Sequence, residues 1–157
     1  MKMNDDDTSQ SKLGRAGETL VINYFSKLGK KIEASVDQFD SEKDLLIDGE
    51  KYEVKTQVPF IVKDAFTFKP SQLKKCKNVK KVIFVSVPNL IKKHFSEGKV
   101  YQIDSDKLEY YKYSTKDGRL MILIPILQEY MEELFTLLPQ ESKLLQSYSI
   151  SNWNKNG

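Results

Sequence analysis

The residue types and spacings most able to do chemistry lie between residues 44 and 55: Asp44, Glu53 and Lys55. Asp48-Gly49 stands between two apolar segments, 44–47 and 51–56. Both residues of that dipeptide tolerate positive φ, so it predicts a two-residue hairpin turn. Counting outward from the turn pairs Ile47 with Glu50, Leu45 with Tyr52 and Asp44 with Glu53. The two-residue period of a strand puts Lys55 on the face of Glu53 and turns Tyr52 and Val54 the other way, with Leu45 and Ile47. Facing carboxylates repel unless a cation or a proton intervenes. Hard oxygen ligands suit magnesium, with manganese as a substitute, and the Val54 carbonyl adds another such oxygen. A metal held there activates water and offsets charge on a phosphate, while Lys55 orients the water, takes its proton or stabilises the phosphorane. These are the parts of a phosphodiester-hydrolysis site. A solvated ribbon in which Lys51 and Lys55 balance the acids accounts for the same residues.

The flanking elements must position that strand pair. Leu13, Ala16, Leu20, Tyr24 and Leu28, with Val21 and Phe25, form a helical stripe that Ser11 caps and Gly29 ends. Glu18 falls at the border of this stripe, where its carboxylate can face a sheet edge. Residues 31–35 read as a strand and 36–43 as a polar loop. Residues 60–68 are a further strand or a connection, and 69–76 a short helix with Pro70 in its first turn. Residues 79–87, with Val82-Ile83-Phe84-Val85, read as the buried central strand. A short helix at 89–95 and a strand at 100–103 follow. Asp117-Gly118 then joins 109–114 to 119–124 as a second hairpin. Residues 125–138, bearing Glu129, Glu132 and Glu133, predict an amphipathic helix, with another at 140–148.

The order of Glu18 on the first helix, Asp44 entering one strand and Glu53-Val54-Lys55 on the next resembles the PD-(D/E)XK nuclease superfamily, across roughly residues 12–87. The resemblance implies an α/β, restriction-endonuclease-like fold: a central mixed sheet flanked by helices. It implies that Asp44 and Glu53 bind magnesium and that Lys55 assists the attacking water. It extends to Glu18 beside the metal and to Gln57, two positions after the lysine. Asp44 follows Lys43 where the family motif has proline. The implied activity is metal-dependent endonucleolytic hydrolysis of duplex or branched DNA. A non-catalytic DNA-binding or assembly protein on the same scaffold is the alternative.

Composition bounds these readings. The chain of 157 residues predicts one nuclease-like domain at 12–150, after a flexible acidic tail at 1–11 and before a frayed end at 151–157. One cysteine, Cys76, and one histidine, His94, exclude an internal disulfide framework and a zinc finger. No apolar run approaches the roughly 20 residues of a membrane span. The expected location is therefore the cytoplasm, or the host-cell cytoplasm if a virus encodes the chain. The net charge of +3 hides a difference: residues 1–11 carry −2, which leaves +5 on the rest. Between Lys69 and Lys81 stand six lysines and no acid. Of these, Lys69, Lys74, Lys75 and Lys77 are the candidates to meet DNA phosphates, solubility being the competing role. Arg15 and Arg119 are the only arginines, so bidentate reading of guanine edges is not a widespread device here. The apolar 121–138 region serves a homodimer interface or packs within one subunit.

Overall fold

In the computed structural model, residues 9–34, 45–60, 63–89 and 97–156 are described. Helix α1 (Ser9–Lys27) buries Leu13, Val21 and Phe25, the stripe read from the spacing. It begins before Ser11, which therefore lies inside the helix instead of capping it. Gly29 ends it at φ +81°. There the Gly29 and Lys30 amides turn back to the carbonyls of Ser26 and Phe25, at 3.0 Å each. A glycine suits this left-handed position because a Cβ would be strained there.

Strands β1 (Ile32–Ala34), β2 (Leu45–Ile47) and β3 (Glu50–Gln57) form an antiparallel meander. The predicted hairpin register holds: Leu45 opposes Tyr52 and Ile47 opposes Glu50. Asp48 and Gly49 have φ of 51° and 81°, which is the backbone twist that a two-residue turn needs. Asp48 also ties the turn down, its carboxylate accepting the Lys31 amide at 2.8 Å and its own amide donating to the Lys31 carbonyl at 2.8 Å. Asp44 and the 36–43 loop lie outside the described residues, as do residues 90–96 and His94.

Beyond β3 the chain forms β4 (Ala65–Phe68) and helix α2 (Pro70–Cys76) before returning as β5 (Lys81–Ser86), parallel to β3. A parallel neighbour requires such a crossover. Strand β6 (Lys99–Asp104), the hairpin of β7 (Tyr111–Ser114) and β8 (Leu120–Pro125), β9 (Glu132–Thr136) and helix α3 (Pro139–Asn156) complete the order. The large mixed sheet runs β1-β2-β3-β5-β6-β9, and a second sheet runs β4-β8-β7. Among the described residues no helix is long and apolar enough to cross a membrane.

The large sheet separates two cores. On one face Leu45, Ile47, Tyr52, Ile83 and Val85 pack against α1 and against Leu145 of α3. On the other face Val82, Phe84 and Ile103 meet Phe66 and Phe68 of β4, Ile122 and Ile124 of β8, and Leu73 of α2. Phe66 stacks on Phe84 with centroids 4.5 Å apart and rings 4° from parallel. Strand β5 feeds both cores, which is why its sequence reads as an unbroken apolar run.

The helix expected at 125–138 is not formed. Gln128 fastens a turn there through its side chain, which accepts the Glu109 amide at 2.8 Å and donates to the Pro125 carbonyl at 2.7 Å. Residues 132–136 then become β9 on the edge of β6. Glutamate favours helices by only a few tenths of a kcal/mol per residue. Pairing with β6 contributes much more: it satisfies backbone groups, forms the 3.0 Å Lys99–Glu133 ion pair and stacks Phe135 on Tyr24 at 4.4 Å. The following helix, expected at 140–148, is α3 and extends further along the chain.

Candidate functional site

Alternation along β3 divides its side chains between the layers. Tyr52 and Val54 enter the core beneath α1. Glu53, Lys55 and Gln57 face the opposite side, beside Val82, Phe84 and Ser86 of β5. Glu53 and Lys55 therefore share the face that the hairpin register assigned to them, and both are partly buried.

Lys55 is the centre of this group. Its ammonium lies 5.9 Å from the centroid of Phe68. Burial depresses its pKa below the usual lysine range, the Glu53 carboxylate partly restores it, and the neighbouring Lys69 charge lowers it again. Cys76 of α2 is a further neighbour. Burial and the Glu53 charge push its thiol up to about 12, with Lys55 acting in the opposite direction. A thiol so placed stays protonated and apolar in behaviour, which suits packing and not nucleophilic attack.

The group opens into a cavity of about 350 Å³ lined by Lys55, Thr67, Phe68, Lys69, Gln72 and Arg119, together with Leu120 and Met121. Gln72 holds the start of α2 by accepting the Lys69 amide at 2.9 Å. Of the candidate nucleic-acid lysines, Lys69 alone is among the lining residues. Lys74 and Lys75 occupy the last turn of α2, and Lys77 sits over the Tyr110 ring at 5.7 Å.

Gln57 stands at the end of the same face, but its amide is engaged with β4. It donates to the Thr67 carbonyl at 2.9 Å and accepts from the Thr67 amide at 2.8 Å and hydroxyl at 3.1 Å. Glu18 is half-buried on α1, the helix that covers the other face of the sheet, one residue after Gly17, which abuts Thr56. The described residues thus bring Glu53, Lys55, Gln57 and Lys69 together. Asp44, the expected opposite number of Glu53, lies outside them.

Magnesium takes hard oxygen ligands, and Glu53 is a donor of that kind. Among the described residues, however, no three His, Cys, Asp or Glu side chains are gathered closely enough to hold a metal ion. The sequence reading missed Arg119 and Phe68. For Arg119 the local signal was the Asp117-Gly118 turn immediately before it, while Phe68 carried none; the approach of both to Lys55 depends on one sheet packing over another. Compared with known protein families, curated proteins and solved structures, the chain matches none.

Proposed function

We propose that this chain is a metal-dependent endonuclease that hydrolyses DNA phosphodiester bonds, with Glu53 and Lys55 at its centre. The observation that carries the reading is their placement: a carboxylate and a desolvated lysine on one face of β3, opening to a basic cavity. The element order adds support: a helix, three antiparallel strands, a crossover through β4 and α2, and a strand parallel to the third follow the order expected of a restriction-endonuclease-like core, with β4 as an added strand in the crossover.

Glu53 would hold magnesium or manganese, with Asp44 and the Val54 carbonyl as the further oxygen donors; Glu18, on the helix that covers the other face of the sheet, takes no part in this set. The ion would supply charge to offset the phosphate and to acidify a water molecule. Lys55 provides two functions of its own. In its charged form it binds a phosphate oxygen or steadies developing negative charge. Held below its usual range, it also accepts a proton from water closer to neutral pH than an exposed lysine does. Gln57 contributes by fixing the end of β3 to β4, which positions Lys55 two residues earlier. Lys69, Lys74, Lys75 and Lys77 would attract the backbone of duplex or branched DNA.

Purified protein incubated with supercoiled, linear, nicked and branched DNA, and with RNA, tests the reading when magnesium, manganese and a chelator are compared. Metal-dependent DNA cleavage abolished in Glu53→Ala and Lys55→Ala is the expected result. Cleavage unchanged in Asp44→Ala and Glu53→Ala would overturn it. A second reading is a DNA-binding or assembly protein without catalysis, in which the lysines of the cavity and of α2 hold the nucleic acid without cleaving it. Salt-sensitive binding with no cleavage in either metal would establish that reading instead.

A further inference from the structure

The cavity beside Lys55 receives its third cation from far along the chain. Between Lys55 and Arg119 the chain runs through β4, α2, β5, β6 and β7, yet both residues line the same space with Lys69. The turn that carries Arg119 is closely tied. The Thr115 amide donates to the Arg119 carbonyl at 2.9 Å, the Arg119 amide donates to the Thr115 hydroxyl at 3.0 Å, and the Gly118 amide donates to the Thr115 carbonyl at 3.0 Å. The Thr115 hydroxyl also donates to Asp117, and Gly118 takes φ +87° to close the loop.

Three cations thus border one cavity of a size that admits a phosphodiester group and its adjoining sugar. Among the described residues, no carboxylate lines it. Two described acids each serve a cation: Glu53 acts on Lys55, and Asp117 pairs with the Arg119 Nε at 3.0 Å. The rest of the guanidinium remains available, since the Arg119 side chain is 79% exposed. A planar guanidinium and two ammonium groups around a pocket match a phosphate oxyanion in charge and in geometry.

We propose that Arg119 and Lys69, together with Lys55, form a subsite for a backbone phosphate of the nucleic acid, making Arg119 a positioning residue delivered by the β7–β8 turn. The role in presenting a scissile bond rests on the nuclease reading, whereas the binding of phosphate does not. Asp117 holds the arginine in place when the subsite is empty and competes with the phosphate for it.

Fluorescence anisotropy of a short labelled DNA duplex in chelator, titrated across salt concentrations, reads binding without cleavage. Arg119→Ala and Lys69→Ala are each expected to weaken binding about tenfold, the scale of one charge-assisted contact. Each should reduce the salt slope by about one. Asp117→Asn keeps an oxygen for the Thr115 hydroxyl and removes the competing charge, so it should tighten binding. Lys116→Ala, on the same turn and outside the cavity lining, is the control for general charge. Equal losses and equal slopes for Arg119→Ala and Lys116→Ala would overturn the subsite. Competition by inorganic phosphate that disappears in Arg119→Ala supports it. Phosphate binding at Arg119 with unchanged DNA affinity in Arg119→Ala would overturn its assignment to the backbone. Cleavage assays in magnesium report separately on Glu53 and Lys55, so failure of the nuclease reading leaves these binding results distinct.

Discussion

Gln57 and Thr67 pair as neighbouring strands do, except that one partner is a side chain. The Gln57 amide gives and takes hydrogen bonds of 2.9 and 2.8 Å with the Thr67 backbone, joining the large sheet to the small one. Its two polar ends are thereby committed to architecture, and Lys55 inherits its position from that link. Gln57→Leu leaves a Thr67 amide and carbonyl without partners in a partly buried place, which costs about 2 kcal/mol. Urea unfolding should show that loss, with Gln57→Glu recovering little because a carboxylate cannot donate to the carbonyl. Wild-type stability in Gln57→Leu would refute the link.

Gly17 and Thr56 set the approach of α1 to β3. A Cβ built at residue 17 would lie 1.8 Å from the Thr56 Oγ1. Gly17→Ala must therefore push the helix away or displace the strand, a change expected to destabilise by about 1–3 kcal/mol. Adding Thr56→Ala removes the hydroxyl and should recover part of the loss, a coupling that a double-mutant cycle measures. Strict additivity of the two substitutions would contradict this close approach.

Lys55 should make stability depend on pH in a defined direction. Its folded pKa lies below the ordinary 10.5, chiefly through burial. The unfolded chain therefore binds more protons between the folded value and 10.5, and stability rises with pH across that window. Below it, the full penalty of a desolvated charge is present. Lys55→Met should accordingly exceed the wild type in stability at neutral pH, and the gap should narrow as pH approaches 10.5. Paired denaturation curves at several pH values check this, and a gap that widens with pH would oppose it.

Cys76 should resist thiol reagents. It is 1% exposed and its thiol is pushed up to about 12, first by burial and then by Glu53. At pH 8 a disulfide reagent should react only as the protein opens, and promptly once urea unfolds it. Because the folded pKa lies above the ordinary 9.0, the same thiol withdraws stability as pH rises from about 9 through 12. Cys76→Ala should lack that alkaline decline. Rapid native labelling at pH 8 would contradict the buried position.

Local interactions explain which features were legible in the sequence. Asp48-Gly49 determined the register of β2 on β3 because two consecutive positive φ values leave a short hairpin one way to close. Strict alternation beyond the turn then placed Glu53 and Lys55 together, and the apolar run of β5 identified the strand buried on both faces. Residues 132–136 offered no comparable signal. Their glutamates favour a helix in isolation, and only the open edge of β6 made them a strand.

By itself, the sequence determined the β3 face that carries Glu53 and Lys55, since turn chemistry and a period of two act within a dozen residues. The tertiary structure decided what that face meets. Stacking of Phe66 on Phe84 seats the small sheet over β5, and this seat brings Arg119, Phe68 and Cys76 to Lys55. The physical reason is that burial of apolar surface has no sequence range: the layer that buries most area determines which distant charges become neighbours.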